Sequence, residues 1–147
     1  MHTKLTIVLV EDDHEQEADF SQEIKLAFKD VDIIRISCEA EFLDQYENRR
    51  DNLPDIFVID LMLEWRQPWV KSTRPLPEPV PDQDEAGLRC LKAIRRYSAE
   101  VPVVIWTMTN KELPPGWVDN RTTFYFRKDL AVEGELFELI RKAVRVH

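Results

Sequence analysis

The sequence has few glycines and few cysteines, and this scarcity excludes two kinds of site. It contains 3 glycines and 2 cysteines in 147 residues. The scattered glycines cannot form a glycine-rich phosphate-binding loop, which needs several glycines close together. Cys38 and Cys90 lie far apart and in no metal-ligand spacing, so we expect two buried or free thiols in a reducing compartment.

The sequence also lacks a long apolar run and an excess of positive charge. No apolar stretch is long enough to span a bilayer, and the N-terminus lacks the basic region and long apolar core of a signal peptide. The formal net charge is -8, and a phosphate backbone repels a chain of this charge. We therefore expect a cytoplasmic protein that binds neither nucleic acid nor membranes.

Strands and helices alternate along a chain of globular composition, with 44% hydrophobic and 33% charged residues. Short β-branched runs predict strands at Leu5–Val10, Val31–Ser37, Ile56–Ile59, Val101–Trp106 and Thr123–Phe126. Apolar residues at helical spacing predict helices at His14–Lys29, Glu39–Arg50, Leu88–Tyr97 and Ala131–Val146. This alternation predicts an α/β fold, a doubly wound parallel sheet with helices on both faces.

The third strand, Ile56–Ile59, is apolar on both faces and ends on Asp60. In open α/β sheets, ligands bind outside the carboxyl ends of the strands. Asp60 therefore has two interpretations, a carboxylate that caps the following turn or a nucleophile and metal ligand. The strand alone does not decide between them.

Two regions interrupt the alternation. Residues 64–86, the proline-rich segment, hold five of the nine prolines and are longer than this fold requires. Trp65 and Trp69 are anchors of the kind found at binding hot spots. We expect the segment either to be a disordered, tolerated insertion or to fold over the strand ends and control access to Asp60 or present a partner surface. Residues 110–120 contain Pro114-Pro115-Gly116, so we expect a short or broken fourth helix there.

Polar side chains follow four of the predicted strands: Glu11 and Asp12, then Asp60, then Thr107, then Lys128. In a parallel sheet these strand ends lie along one edge. Carboxylates gathered there repel each other unless a cation lies between them, and Mg²⁺ prefers oxygen ligands. A lysine and a hydroxyl suit an incoming phosphoryl group.

The chain resembles a response-regulator receiver domain of the CheY type. The matching residues are 7–13 (Ile-Val-Leu-Val-Glu-Asp-Asp), 58–63 (Val-Ile-Asp-Leu-Met-Leu), Gly87-Leu88, 103–107 (Val-Val-Ile-Trp-Thr) and 125–128 (Tyr-Phe-Arg-Lys). The resemblance covers nearly the whole chain apart from the proline-rich segment. It implies a five-stranded flavodoxin-like sheet in the order 2-1-3-4-5 and a single receiver domain over residues 1–147.

The resemblance also implies residue roles. Asp60 corresponds to the phosphoacceptor, Glu11 and Asp12 to the acidic pair that holds Mg²⁺, and the backbone carbonyl of Met62 to a further ligand. Lys128 would pair with the phosphoryl oxygens. Thr107 would move to hydrogen-bond the phosphoryl group, and Tyr125 would be the aromatic residue that swings inward.

Simpler interpretations exist for most of these residues. Glu11 and Asp12 could merely begin the first helix, where acids favour the dipole, although we favour Asp13 as its N-cap. Thr107 could be an ordinary loop hydroxyl, Arg127 the working cation and Tyr125 a core residue. Two residues depart from the family pattern. Met108 is bulky where a small residue is usual, and Asp129 stands where a proline after a cis bond is common.

The sequence predicts a stand-alone, non-enzymatic receiver in a two-component phosphorelay. A histidine kinase or phosphotransfer protein would phosphorylate Asp60 with Mg²⁺ present, and output would pass through another protein or through self-association. The alternative is a pseudo-receiver, a binding module that phosphate does not switch. A Mg²⁺-dependent phosphohydrolase is a third candidate, but position 62 is methionine, so the Asp-x-Asp arrangement is absent.

Overall fold

Five parallel strands form one sheet in the computed structural model, which describes residues 4–108, 111–128 and 134–146. The strands are β1 (Leu5–Val10), β2 (Val31–Ile36), β3 (Ile56–Ile59), β4 (Val103–Thr107) and β5 (Thr123–Arg127). Their order is β2-β1-β3-β4-β5, with every neighbouring pair parallel. The predicted fold class and strand order are confirmed.

The described residues form four α-helices: α1 (His14–Ala27), α2 (Glu39–Tyr46), α3 (Ala86–Arg95) and α4 (Glu135–Val146). Helix α2 ends four residues before the predicted Arg50, and the turn that follows it places Asn52 at a left-handed φ of 53°. Residues 111–122 contain turns and no helix, in agreement with the expected interruption. Within the described ranges, no helix has the length and apolarity needed to cross a membrane.

Both faces of the sheet are covered, as the apolar strands predict. Val8, Val10, Phe57 and Ile59 belong to one core cluster, which they share with residues of α2 and α3. Alternate residues of the same strands belong to a second cluster with residues of α1 and α4. Because β1 and β3 are enclosed in this way, the polar residues that follow them are held at the carboxyl edge of the sheet.

Gly87 lets α3 begin directly against the end of β3. Its N–H donates to the carbonyl of Leu61 at 2.9 Å. A Cβ at this position would lie 2.2 Å from the carbonyl oxygen of Asp60 and 2.7 Å from the Cα of Leu61. Backbone atoms cannot yield to such a contact, so the approach of α3 to the candidate site requires glycine here.

Cys38 and Cys90 are buried free thiols, as the sequence predicts. Burial raises the pKa of both thiols, Cys90 the more strongly. The assignment of residues 1–147 to one receiver domain with an insert stays a prediction, since both ends of the chain lie outside the described ranges.

Candidate functional site

The sheet itself brings the predicted polar residues together at its carboxyl edge. The parallel hydrogen-bond ladder continues one residue past the strands, because Asp60 N–H donates to the carbonyl of Val10 at 3.0 Å. Likewise Lys128 N–H donates to the carbonyl of Thr107 at 2.9 Å. The hydrogen bonds of the sheet therefore determine the backbone positions of Asp60 and Lys128. Asp60 and Glu11 are both buried at this edge.

Lys128 links the acidic residues of this edge. Its ammonium lies 3.1 Å from Asp60 Oδ2, and it also pairs with Glu11 and donates to the side-chain oxygen of Gln16. The side chains are almost enclosed, with 7% of Lys128 and 11% of Asp60 exposed. The ammonium also lies 4.2 Å from the ring centroid of Trp106, a cation–π distance.

Burial, and then neighbouring negative charge, disfavour the ionised forms of Glu11 and Asp12. Burial, followed by the charge of Asp60, raises the pKa of Glu11 to about 8, and Lys128 offsets only part of this effect. Burial also raises the pKa of Asp12, with a further contribution from Asp60. Three carboxyl groups, Glu11, Asp12 and Asp60, share one lysine at this edge, so a further cation would favour the ionisation of all three.

Asp12 and Asp13 have different structural roles. The side chain of Asp13 caps α1 and accepts from the N–H groups of Glu15 at 2.9 Å and Gln16 at 3.1 Å. Asp12 is half-buried, and its Oδ2 accepts from the N–H of Glu64 at 3.2 Å. Asp13 is therefore the N-cap, in the favoured register, and Asp12 remains at the edge beside Asp60.

The donor set suits a hard divalent cation. Asp12, Asp60 and the Met62 carbonyl supply oxygen atoms, and Met62 is tied to Asp60 because its N–H donates to Oδ1 at 3.2 Å. In the part of the chain that the structure describes, no group of three or more His, Cys, Asp or Glu side chains is gathered as a metal site. Glu11 and Asp60 both pair with Lys128.

Of the remaining predicted residues, Thr107 ends β4, whereas Tyr125 lies in the middle of β5, opposite Ile105. Thr107 is buried at the end of β4. Tyr125 is half-buried, and its hydroxyl donates to the carbonyl of Lys111 at 3.0 Å, in the segment between β4 and β5. Met108 is exposed. Asp129 lies outside the described residues, so the geometry expected after Lys128 is not described.

The sequence did not indicate two residues of the site. Gln16, which contacts Lys128, carried only a local signal, because Asp13-x-x-Gln16 has the spacing of a helix capping box. Its partner is 112 positions away, and no local pattern specifies that contact. Glu64 contributes through its backbone, whose N–H contacts Asp12, and a backbone contact leaves no trace in residue type.

The proline-rich segment begins at the site and lies against α2. The carbonyls of Glu64 and Trp65 accept from the N–H groups of Glu39 and Ala40, both at 2.9 Å. They thereby cap α2, whose N-cap residue Cys38 makes no side-chain capping bond. Further along, the Trp69 ring lies 4.9 Å from that of His14 in the first turn of α1. The segment therefore contacts two elements that border the site.

Solved structures resemble this chain in fold, whereas comparisons of its sequence find no relative. No protein-family model and no curated protein matches it. A CheY-like receiver domain from Methanospirillum hungatei has 16% identity and a TM-score of 0.67, over 98% of this chain and 96% of that one. A signal receiver domain of a histidine kinase from Clostridium thermocellum has 18% identity and a TM-score of 0.66, over 97% and 99%.

A third solved structure is described with a metal ion in its active-site cleft. It is the receiver domain of a sensor histidine kinase from Pseudomonas aeruginosa, described with a magnesium ion coordinated in its active-site cleft. Identity is 16% and the TM-score 0.61, over 97% of this chain and 99% of that one. At such identities the likeness establishes the fold: this chain has the fold of response-regulator receiver domains.

Proposed function

We propose that this chain is a phosphoacceptor receiver of a two-component system, with Asp60 as the phosphorylated residue. One observation carries the proposal: the Asp60 carboxylate lies 3.1 Å from the Lys128 ammonium, at the carboxyl end of the central strand. Glu11 and Asp12 border it on the neighbouring strand end. The receiver fold of the solved structures supports the same class of function.

Phosphoryl transfer requires the protein mainly to position the reacting groups and to neutralise charge. An Asp60 oxygen would attack the phosphorus of a phosphohistidine in line, forming an acyl phosphate as the P–N bond breaks and the imidazole leaves with its electron pair. Lys128 would offset the charge of the phosphoryl oxygens. Glu11, Asp12, Asp60 and the Met62 carbonyl would hold Mg²⁺, which supplies charge neutralisation when bound.

The readout would follow from the new acceptor oxygens. A phosphoryl group on Asp60 competes for the Lys128 ammonium and offers Thr107 a hydrogen-bond partner. Tyr125, whose hydroxyl holds the carbonyl of Lys111, would respond through the segment after β4. The upstream partner would be a histidine kinase or phosphotransfer protein in the cytoplasm, and the output a protein–protein contact. We expect no enzymatic turnover beyond self-phosphorylation and self-dephosphorylation.

A second candidate is the phosphate-independent pseudo-receiver. It is favoured by the enclosure of Asp60, whose carboxylate the chain's own lysine already neutralises. In that case the site would be a structural ion-pair cluster, and the fold would serve only as a binding module.

Intact mass after incubation with acetyl phosphate and Mg²⁺ distinguishes the two candidates. We expect the mass of one phosphoryl group to be added, with the base lability and acid stability of an acyl phosphate. Asp60→Asn should abolish the addition, whereas Asp51→Asn, at an exposed position outside the site, should retain it. An unmodified wild-type mass with Mg²⁺ shown to bind would establish the pseudo-receiver.

A further inference from the structure

The proline-rich segment and α3 enclose a groove that the phosphoacceptor site does not use. Two adjoining cavities of about 350 Å³ and 320 Å³ share Trp65, Pro81, Glu39 and Arg89 among their lining residues. Each volume is in the lower range of protein pockets that hold small ligands or single side chains. The groove lies on the α2–α3 side of the sheet.

Several contacts fix the shape of the groove. Arg74 pairs with Asp44 at 3.0 Å and with Glu47 at 2.8 Å, which ties the middle of the proline-rich segment to α2. Leu63 N–H donates to the carbonyl of Gln83 at 3.2 Å and closes the base of the segment. With the capping contacts of Glu64 and Trp65, these bonds hold the segment against α2 at several points. A preformed site spends less binding energy on ordering.

The wall of the groove is apolar and exposed. Leu76 and Val80 line it with 47% and 61% of their surface exposed, beside Pro77 and Pro81. Large apolar side chains left in solvent along a groove are typical of a binding surface. Trp65 lines both cavities, and tryptophan is enriched at the energetic centres of interfaces.

The rim of the groove is basic, although the chain as a whole is acidic. Five cationic and three acidic side chains line the two cavities, in a protein of net charge -8. Arg89 is held by Glu39 in a bidentate pair at 2.6 and 2.7 Å, so its charge is compensated. Lys92 on α3 and Arg96, the residue that follows the helix, are exposed about one turn apart. The Lys92 ammonium lies 5.8 Å from the ring centroid of Trp117, and both charges can reach a ligand in the groove.

We propose that this groove binds an extended segment of a partner protein that combines acidic and apolar residues. Apolar side chains would enter beside Trp65, Leu76 and Val80, and carboxylates would pair with Lys92 and Arg96. Each of the two adjoining cavities has the size of a pocket for single side chains, which suits successive side chains of an extended segment. Charge complementarity selects an acidic partner and excludes a basic one.

Selection from a library of random short peptides displayed on phage tests the proposal with the full chain as bait. Enriched sequences should combine acidic and apolar residues, and the synthetic peptide should bind less tightly as salt is raised. In fluorescence anisotropy, Lys92→Glu with Arg96→Glu should weaken binding by about tenfold or more. Leu76→Ser with Val80→Ser, which removes the apolar wall instead, should weaken binding as well.

A matched charge control is available on α1 and just after it. Lys25 and Lys29 are exposed and lie outside the groove, so Lys25→Glu with Lys29→Glu should leave the affinity unchanged. Four results would overturn the proposal: no enriched peptide, enrichment of basic or purely apolar peptides, equal weakening by the α1 control, or binding that survives both groove variants. Sedimentation showing a dimer that the groove variants dissociate would assign the groove to a second copy and also overturn it.

Discussion

Lys128 is the residue on which the charges of the candidate site converge. Its ammonium contacts Asp60, Glu11 and Gln16 and lies over the ring of Trp106. Removing one partner of a buried ion pair leaves an uncompensated charge, which costs more than the pair contributes. Any phosphoryl group or cation that enters must therefore rearrange these contacts, and Trp106 is placed to report the change in fluorescence.

The neighbouring acids Asp12 and Asp13 should separate metal binding from stability. Asp12→Ala should weaken Mg²⁺ binding at least as much as the loss of a residue that only supports a metal ligand. Such a loss lowers metal affinity roughly 10-fold to 100-fold. Asp13→Ala should spare Mg²⁺ and lower the free energy of unfolding by about 1 kcal/mol through loss of the N-cap. Magnesium titration followed by tryptophan fluorescence and urea unfolding measure the two effects. The reverse pattern would show that the acidic pair is shifted by one residue.

Gly87→Ala should disturb the site through the backbone. The added methyl group would meet the Asp60 carbonyl at 2.2 Å, so we expect a loss of about 1–3 kcal/mol in unfolding free energy and slower phosphorylation of Asp60. Gly116→Ala is the matched control, because no atom lies within 4 Å of its Cβ, although its φ of 89° adds strain. Gly116→Ala should therefore cost stability without slowing phosphorylation. Equal rates in the two variants would refute the argument.

At the scale of elements, α2 depends on a segment outside the regular structure. Its first N–H groups are satisfied by the carbonyls of Glu64 and Trp65, not by the side chain of Cys38. The same Glu64 contacts Asp12 through its N–H. One residue, Glu64, therefore contacts both Asp12, through its N–H, and the start of α2, through its carbonyl, so we expect a change at Asp12 to affect that helix.

Replacing residues 66–82 with a short glycine-serine turn should separate the capping of α2 from any effect of the proline-rich segment on Asp60, since Glu64 and Trp65 remain. We expect the fold and the α2 cap to persist and the rate of phosphorylation by acetyl phosphate to change, because Trp69 no longer lies against His14. Arg74→Gln is the milder comparison. It removes half-exposed ion pairs worth at most about 1 kcal/mol. Circular dichroism, urea unfolding and intact-mass kinetics measure the outcome, and a shortened chain that matched the parent rate would make the segment a passenger.

At the scale of the whole molecule, acid stability is linked to the turn before β5. Asp119 Oδ1 accepts from the N–H groups of Arg121 at 2.9 Å, Thr122 at 2.8 Å and Thr123 at 2.9 Å. Burial acts to raise its pKa, but these hydrogen bonds outweigh burial and hold the pKa of Asp119 well below its ordinary value. The ionised carboxylate therefore stabilises the strand that positions Lys128.

Asp119→Ala should lower the free energy of unfolding by about 1 kcal/mol at pH 7. Because the folded-state pKa lies below the unfolded value, this stabilisation is complete above the unfolded pKa of 3.8 and is lost as pH falls through the folded pKa. Urea unfolding should accordingly show a difference between wild type and variant that shrinks under acid. Asp119→Asn, which keeps an acceptor oxygen without the charge, should show a smaller loss. A difference that did not vary with pH would contradict the linkage.

Local patterns were sufficient for the elements whose residues are neighbours in sequence. Strands β1 and β3 begin and end where their β-branched runs do, since residues that alternate across a buried sheet must all be apolar. The N-cap of α1 also follows from residue type. The strand order came from the resemblance to receiver domains, because alternation predicts a parallel sheet without specifying which strands are neighbours.

The tertiary structure alone decided the contacts between distant residues. Gln16 meets Lys128, Glu64 meets both Asp12 and α2, and Arg74 ties the proline-rich segment down. None of these contacts has a local period or motif, because each depends on how packed elements bring separate parts of the chain to one place. The strand-end positions of Glu11, Asp60 and Lys128 were therefore predictable from the sequence. Their pairing, and the groove beside α3, depended on the fold.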